Sequence, residues 1–372
     1  MMVTMKKIQA ARLLTEPEDY KKVGVKPGII EPWEDGKRDD DRAGAYEWWY
    51  FDMILDDGSK AVIHFNTKAL RNIRKNGCAP SVVIKITLPD GTNYTDDLNY
   101  TVDEAFFGKE KCEVKYGPHS IVGDLKEYTI KVEPVNGIGA DLKLTNLGKP
   151  WRPGAGAYEF NNDKSGYFTW LCVVPKGRVE GTITVDGQAR RVTGFGYHDH
   201  QWGNVSHLFT WNHWLWSRQT FDDYTILVFD IVTNEKYGYK RFPMMFLEDK
   251  DGNVIFECLD KPKTKLVEEY VEKLSQKKYP KVTEYIFENN GTRVEYTLSV
   301  EQELESRDAF SMAPKIAQLL FKIKKVHPST ARYFAKGDIK IIDGEKVIER
   351  TGNLIYEFVY MGNSYREFVE NQ

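Results

Sequence analysis

Tyr197, His198, Asp199, His200 and Trp202 occupy one short run near the middle of the chain, and His207 and His213 follow among Trp211, Trp214 and Trp216. Four of the seven histidines therefore fall in a small fraction of the sequence. Titratable groups set among large rings suit acid–base work in a dry site. Burial raises a carboxyl's pKa so that it can be held neutral and give up a proton, and an imidazole can orient that acid or take a proton from water. Asp199, Asp230 and Glu47 are the candidate acids, with His198, His200 and Tyr197 beside them. Asp230 stands between Phe229 and Ile231 on a strongly apolar run, where a carboxylate without a partner is costly, and it is the first choice. Positive charge developing on a substrate needs electron-rich faces. Trp48, Trp49, Trp202, Trp211, Trp214 and Trp216 can supply roughly 0.5–2 kcal/mol per cation–π contact.

Two other readings use the same residues. His198-x-His200 with Asp199, His207 or His213 could ligate zinc or iron, but on a strand Asp199 points away from the two histidines, so no metal is expected. In the plainest reading the cluster is a buried aromatic corner in which Glu47 pairs with an arginine and Asp199 bonds a neighbouring turn. There is no G-x-S-x-G elbow, P-loop or dinucleotide fingerprint beyond Asn136-Gly-Ile-Gly139, and no cofactor is expected.

The positioning elements read as β-structure. If 194–204 is extended, alternation puts His198, His200 and Trp202 on one face and Tyr197, Asp199 and Gln201 on the other, while Gly194, Gly196 and Gly203 permit unusual dihedrals and close backbone approach. Residues 46–55 and 60–66 flank Asp56-Asp-Gly-Ser as a hairpin. Short strand-like runs follow at 81–88, 111–116, 128–132, 140–144, 166–174, 179–185 and 189–194, then at 224–232, 237–247, 253–259, 282–287, 293–301, 337–342 and 345–360. This spacing argues for meandering antiparallel barrels or sandwiches. One segment differs: 311–325 has helical periodicity, with Ser311 as cap, Pro314 in the first turn and Ile316, Leu319, Leu320 and Ile323 on one face. It is expected to close the end of a barrel, with peripheral membrane contact as the alternative. A shift of 166 positions lays Trp48 on Trp214, Tyr50 on Trp216, Asp56-Asp57 on Asp222-Asp223, Glu47 on His213 and His64 on Asp230, which suggests two similar units.

Length allows two domains or more. A net charge of −3 with interleaved signs favours neither nucleic acid nor an anionic surface as partner. The charged run Glu34–Arg42, inside a polar lead-in of residues 1–45, is expected to be solvated on the surface. Cysteines 78, 112, 172 and 258 lack metal or disulfide spacing, and the first residues are interrupted by Gln9 and Arg12 before any signal-like apolar run, so a soluble, cytoplasmic chain is expected. The 13% of aromatic residues suits sheet surfaces and apolar cavities.

Glu47-Trp-Trp-Tyr50, taken with 181–204 and its Gly-Tyr-His-Asp-His-Gln-Trp-Gly ending, resembles the carotenoid 1,2-hydratase (hydroxyneurosporene synthase) and AttH-like family, which includes fungal decalin-forming cyclases (Diels–Alderases). The resemblance implies an all-β chain of two tandem lipocalin-like (calycin) antiparallel domains, 46–205 and 206–372, with a ligand cavity between or within them. It implies that His200 and Trp202 match the hydratases' active-site His-x-Trp pair, with Tyr224 and Asp230 as the nearest downstream Tyr and Asp. The function then expected is cofactor-independent hydration or cyclisation of a hydrophobic isoprenoid or polyketide-like molecule by protonation of a C=C bond. Trp48, Trp49, Tyr50, His64, Trp202, Asn204, Trp211, Trp214, Trp216 and Tyr224 would line the substrate. Pericyclic closure of a folded polyene, and a carrier that binds such a molecule unchanged, stay as alternatives.

Overall fold

The computed structural model describes residues 8–68 and 72–363, which divide into two compact units, one essentially 12–205 and the other residues 206–363 with 8–11. The first unit carries a 13-stranded antiparallel sheet. Tyr46–Leu55, Lys60–Asn66, Ser81–Thr87 and Asn93–Asn99 meander outward to one edge. Ala105–Phe107, Glu113–Tyr116, His119–Gly123, Glu127–Val132, Gly139–Asn146 and Gly166–Val185 run back from the other edge, and Gln188–Gly203 closes the seam against Tyr46–Leu55. Two short strands, Ala11–Leu13 and Ala157–Phe160, pair at its margin.

The second unit repeats the scheme with nine strands. Trp211–Thr220, Tyr224–Thr233, Arg241–Asp249 and Val254–Cys258 meander out, and Lys263–Val271, Lys278–Asn289, Thr292–Asp308, Val326–Asp343 and Lys346–Gly362 return, the last pairing with Trp211–Thr220. In both units the opening aromatic strand is thus flanked by its hairpin partner and by the unit's final strand, which is the architecture the 166-residue shift suggested. Each sheet curls around its own core because alternate residues are apolar. In the first these are Trp49, Phe51, Met53 and Leu55 with Ile63, Val82, Ile84 and Leu142; in the second Leu215, Ile226, Val228, Tyr285, Tyr296 and Phe358.

Several segments expected as short strands are parts of long ones: 166–174 and 179–185 fuse into Gly166–Val185, and 189–194 continues through the whole central motif to Gly203. Gly194, Gly196 and Gly203 all keep negative φ, so the expected unusual dihedrals are absent. They serve by lacking a Cβ, which at Gly194 would sit 2.4 Å from the Ile54 carbonyl oxygen and at Gly203 2.6 Å from that of Tyr167. Gly123 does the same for a ring, since a Cβ there would meet Tyr128 at 2.1 Å. Gly123→Ala is therefore expected to cost about 1–3 kcal/mol in a denaturation experiment, because the fully buried Tyr128 cannot swing aside without breaking its hydroxyl bond to Asp35.

Two expectations are overturned. The run Glu34–Arg42 is solvated only in part: Asp40 and Arg42 are exposed, but Glu34, Asp35, Lys37 and Asp39 are buried, because ion pairs and backbone N–H groups neutralise them, as in the Arg152–Glu34 pair at 3.1 Å. The 311–325 segment forms two short helices, Ala309–Met312 and Lys315–Ile323, the latter capped by Pro314 rather than Ser311. Its Ile316, Leu319, Leu320 and Ile323 face outward, so the helix does not close a barrel with them. No helix among the described residues is long and apolar enough to cross a membrane, and none of Cys78, Cys112, Cys172 and Cys258 is in a disulfide.

Candidate functional site

Strand Gln188–Gly203 lies between Tyr46–Leu55 and Gly166–Val185, and its register separates the predicted residues onto two faces, as alternation requires. On the inner face His198 opposes Phe51, His200 opposes Trp49 and Trp202 opposes Glu47. The rings lock together: Phe51 stacks on His198 at 4.1 Å and Trp49 on His200 at 4.6 Å. His198 Nδ1 bonds the Tyr50 carbonyl at 2.9 Å while Nε2 reaches Asp35 Oδ2 at 3.2 Å. His200 Nε2 donates to Glu47 Oε1 at 2.9 Å, and its Nδ1 faces Asp35 Oδ1 at 3.4 Å. Tyr128 donates to Asp35 at 2.6 Å, and Lys37 lies 3.4 Å from Glu47. Every member of this network is buried, so it forms a polar plug in the core of the first sheet.

The opposite face holds the second set. Asp199 Oδ2 accepts from the Tyr197 hydroxyl at 2.9 Å and from Trp170 Nε1 at 3.2 Å, and Oδ1 accepts from Gln201 Nε2 at 3.1 Å. Burial pushes this carboxyl up to about 6, against the pull of its three donors and of His198. Along the same face Asp199 opposes Tyr50, Tyr50 opposes His64 with ring centroids 4.7 Å apart, and Gln201 opposes Trp48. Tyr50, His64, Trp48 and Gln201 are half-buried, so a row of rings and hydrogen-bonding groups borders a buried acid.

Asp39 is also pushed up to about 6, again by burial, with Tyr167 donating to it at 2.7 Å. Its surroundings are Lys37, Asp41, Arg42 and Glu47, a charged setting unsuited to an apolar molecule. Asp35 and Asp39 escaped the sequence reading as site residues, and the signal that could have found them is Trp33 beside five acids in the run 34–41, a composition at odds with a purely solvated segment.

In the second unit the expectation of a partnerless Asp230 does not hold. Arg241 binds both its oxygens, at 2.8 and 2.6 Å, and Tyr285 adds a bond at 3.1 Å. His213 packs against Phe358 at 5.7 Å, and burial drives it down to about 3. Trp211 is buried, while Trp214, Trp216 and Tyr224 are half-buried, Trp214 donating to Glu357 at 3.3 Å and Tyr224 lying under Arg350 at 5.7 Å. Asn204 bridges Tyr167 N and the Ser165 carbonyl, the role of a loop tie. The proposed metal set is not assembled within the first unit, since Asp199 faces away from His198 and His200, and His207 and His213 belong to the second. Among the described residues Asp35, Cys112 and His198 do have potential ligand atoms within 4.8 Å of one another, but Tyr128 and His198 already bond Asp35 Oδ2 and the thiol is pushed well up by burial and by Asp35.

Two curled antiparallel sheets, each with its opening strand sealed by its last, define a lipocalin-like β protein. The model of the Diels-Alderase-like family matches residues 37–303, more than half of the chain, and the chain belongs to that family. The resemblance read from the Glu-Trp-Trp-Tyr and Tyr-His-Asp-His-x-Trp-Gly segments is borne out. The chain is 25% identical over 238 residues to the quinolone epoxide rearrangement protein asqO of Emericella nidulans, covering 60% of this chain and 63% of that protein. It is 23% identical over 225 residues to the acyclic carotenoid 1,2-hydratase of Rubrivivax gelatinosus, covering 55% and 52%. The matches thus span between half and two thirds of these relatives. The crystal structure of CghA with Sch210972 superposes with a TM-score of 0.61 at 15% identity, over 91% of this chain and 97% of that one.

Proposed function

We propose that this chain is a cofactor-independent hydratase or cyclase for a hydrophobic isoprenoid or polyketide-like substrate, with Asp199 as the proton donor. The observation that carries this reading is a buried carboxyl raised to about 6 on the face of the sheet that also presents Trp48, Tyr50 and His64. Hydration of a double bond and rearrangement of an epoxide both begin with a proton given to an uncharged, weakly basic group. The names of the two curated relatives fit that shared first step. A carboxyl near 6 is a better donor at neutral pH than an ordinary aspartate, which is almost fully ionised there. Tyr197 and Trp170 fix its Oδ2, and Oδ1 faces Gln201, which is half-buried, so Oδ1 is the oxygen placed to carry the proton to substrate. Trp48 and Tyr50 would shield and stabilise the cation formed, and His64 would orient or deprotonate the attacking water.

The test is turnover of a panel comprising an acyclic carotenoid, a quinolone epoxide and a linear polyene. For the substrate turned over, kcat should fall as pH rises through about 6, because the protonated fraction of Asp199 declines. Reaction in D2O should place deuterium on product carbon or hydroxyl according to the bond opened. A pH-independent rate with no deuterium on carbon would replace protonation by pericyclic closure, and tight binding of every member without turnover would make the chain a carrier.

A further inference from the structure

Helix Lys315–Ile323 is held to its own unit by its lesser face. Phe321 packs on Phe310 at 6.3 Å, Phe310 on His327 at 4.4 Å, and Gln318 donates to the Ala313 and Ser311 carbonyls. The stronger apolar face points away: Ile316 is 78% exposed, Leu319 61%, Leu320 55% and Ile323 68%, and Met312 just before the helix is 68% exposed. Burying such a face is the usual source of a short helix's stability, so its exposure calls for an occupant. Charge indicates which one. Lys315, Lys322, Lys324 and Lys325 flank the apolar residues, and no acid occurs in the sequence between Asp308 and Asp338. Lys325 pairs with Glu235 at 2.7 Å, and Lys322 lies over the Phe310 ring at 5.9 Å. A second insertion lies at the same end of the sheet. Lys277 donates to Ser329 Oγ at 3.1 Å, which sets the turn after strand Lys263–Val271 beside strand Val326–Asp343, the one that follows the helix, and the turn and the strand end before it expose Leu274 by 58% and Val271 by 54%.

We infer that this end of the second unit docks on an anionic phospholipid surface, with Ile316, Leu319, Leu320 and Ile323 entering the acyl boundary and the lysines meeting the headgroups. A basic helix with a continuous apolar stripe gains from both contributions at once, and neither alone gives lasting attachment. This inference does not depend on Asp199, but it would give the enzyme direct access to molecules that dissolve in membranes rather than in water.

The test is co-sedimentation of the full chain with vesicles of phosphatidylcholine alone and of phosphatidylcholine mixed with phosphatidylglycerol. Binding is expected only to the mixed vesicles, and it should weaken at high salt. Ile316→Asn with Leu320→Asn should lower it by about tenfold or more, and so should Lys315→Glu with Lys322→Glu and Lys324→Glu, which keeps the apolar face. All five side chains are exposed, so thermal midpoints should not move. Equal binding to neutral vesicles, wild-type binding by both variants, or no binding by the wild type overturns the inference. So does a dimer in sedimentation velocity that the Ile316 and Leu320 substitutions dissociate, since the face would then belong to a second copy.

Discussion

Asp199→Asn is expected to lower turnover by roughly 10²–10⁴-fold and, at the same time, to raise stability at alkaline pH. The two effects have one cause. Burial raises the carboxyl from 3.8 to about 6, so the folded state prefers the neutral form; that preference contributes fully below about 3.8 and is lost as pH rises through about 6. At pH 8 the wild type therefore holds a buried carboxylate at a cost on the order of 3 kcal/mol, which the amide does not carry. The amide also fits the site. Its oxygen can keep the bonds from Tyr197 and Trp170, and its nitrogen can donate to Gln201 once that side chain turns its amide over. Thermal midpoints of the two proteins should coincide near pH 4 and diverge in favour of the variant above pH 6. Asp39→Asn supplies the contrast: it should show a similar stability signature and leave the kinetic limb near pH 6 in place. If the limb vanished with Asp39→Asn and survived Asp199→Asn, the proton donor would be on the loop and the proposed site would be wrong.

Glu47→Ala is expected to be the most damaging single change to stability, at about 3–5 kcal/mol by urea denaturation. Its carboxylate, with no exposed surface, accepts from Arg38 N at 2.6 Å, Asp39 N at 3.0 Å and His200 at 2.9 Å, with Lys37 at 3.4 Å. Truncation leaves the Arg38 and Asp39 N–H groups and His200 Nε2 without this acceptor and removes one of the two carboxylates beside the buried Lys37, which keeps Asp41 at 2.9 Å. Glu47→Gln should rescue little, because its NH2 group would face Lys37 and Asp39 N, or else Arg38 N and His200. Glu47 was a candidate acid in the sequence. The geometry supports a positioning role instead, and whatever fraction of a Glu47 variant stays folded should keep near-normal kcat per folded molecule. A kcat collapse in fully folded protein would return Glu47 to the chemistry.

How much of this could be read from sequence depended on the range of the interaction. Alternation alone placed His198 and His200 opposite Tyr197 and Asp199, because side-chain direction in a strand is a local property. The doubled architecture was visible as the short match of Trp48 to Trp214 and of His64 to Asp230. Asp35 was not legible, since the bonds that bury it come from Tyr128 and His198, 93 and 163 positions away. Asp230 misled for a milder version of the same reason: Arg241 lies only 11 positions on, but it becomes a partner through the register of two adjacent strands. The helix shows the converse. Periodicity identified an apolar stripe at Ile316, Leu319, Leu320 and Ile323, yet nothing in a stripe states whether protein, lipid or water lies against it.

The seams also set an order of events during synthesis. In each unit the first long strand waits for the last, Tyr46–Leu55 for Gln188–Gly203 and Trp211–Thr220 for Lys346–Gly362. Until the closing strand leaves the ribosome, the opening one offers an unpaired aromatic edge, the kind of surface that recruits neighbouring nascent chains. The first unit can be sealed while the second is still being translated. The second stays open until Lys346–Gly362 has been made, so truncations before Lys346 should burden chaperones far more than loss of the residues before Ala11.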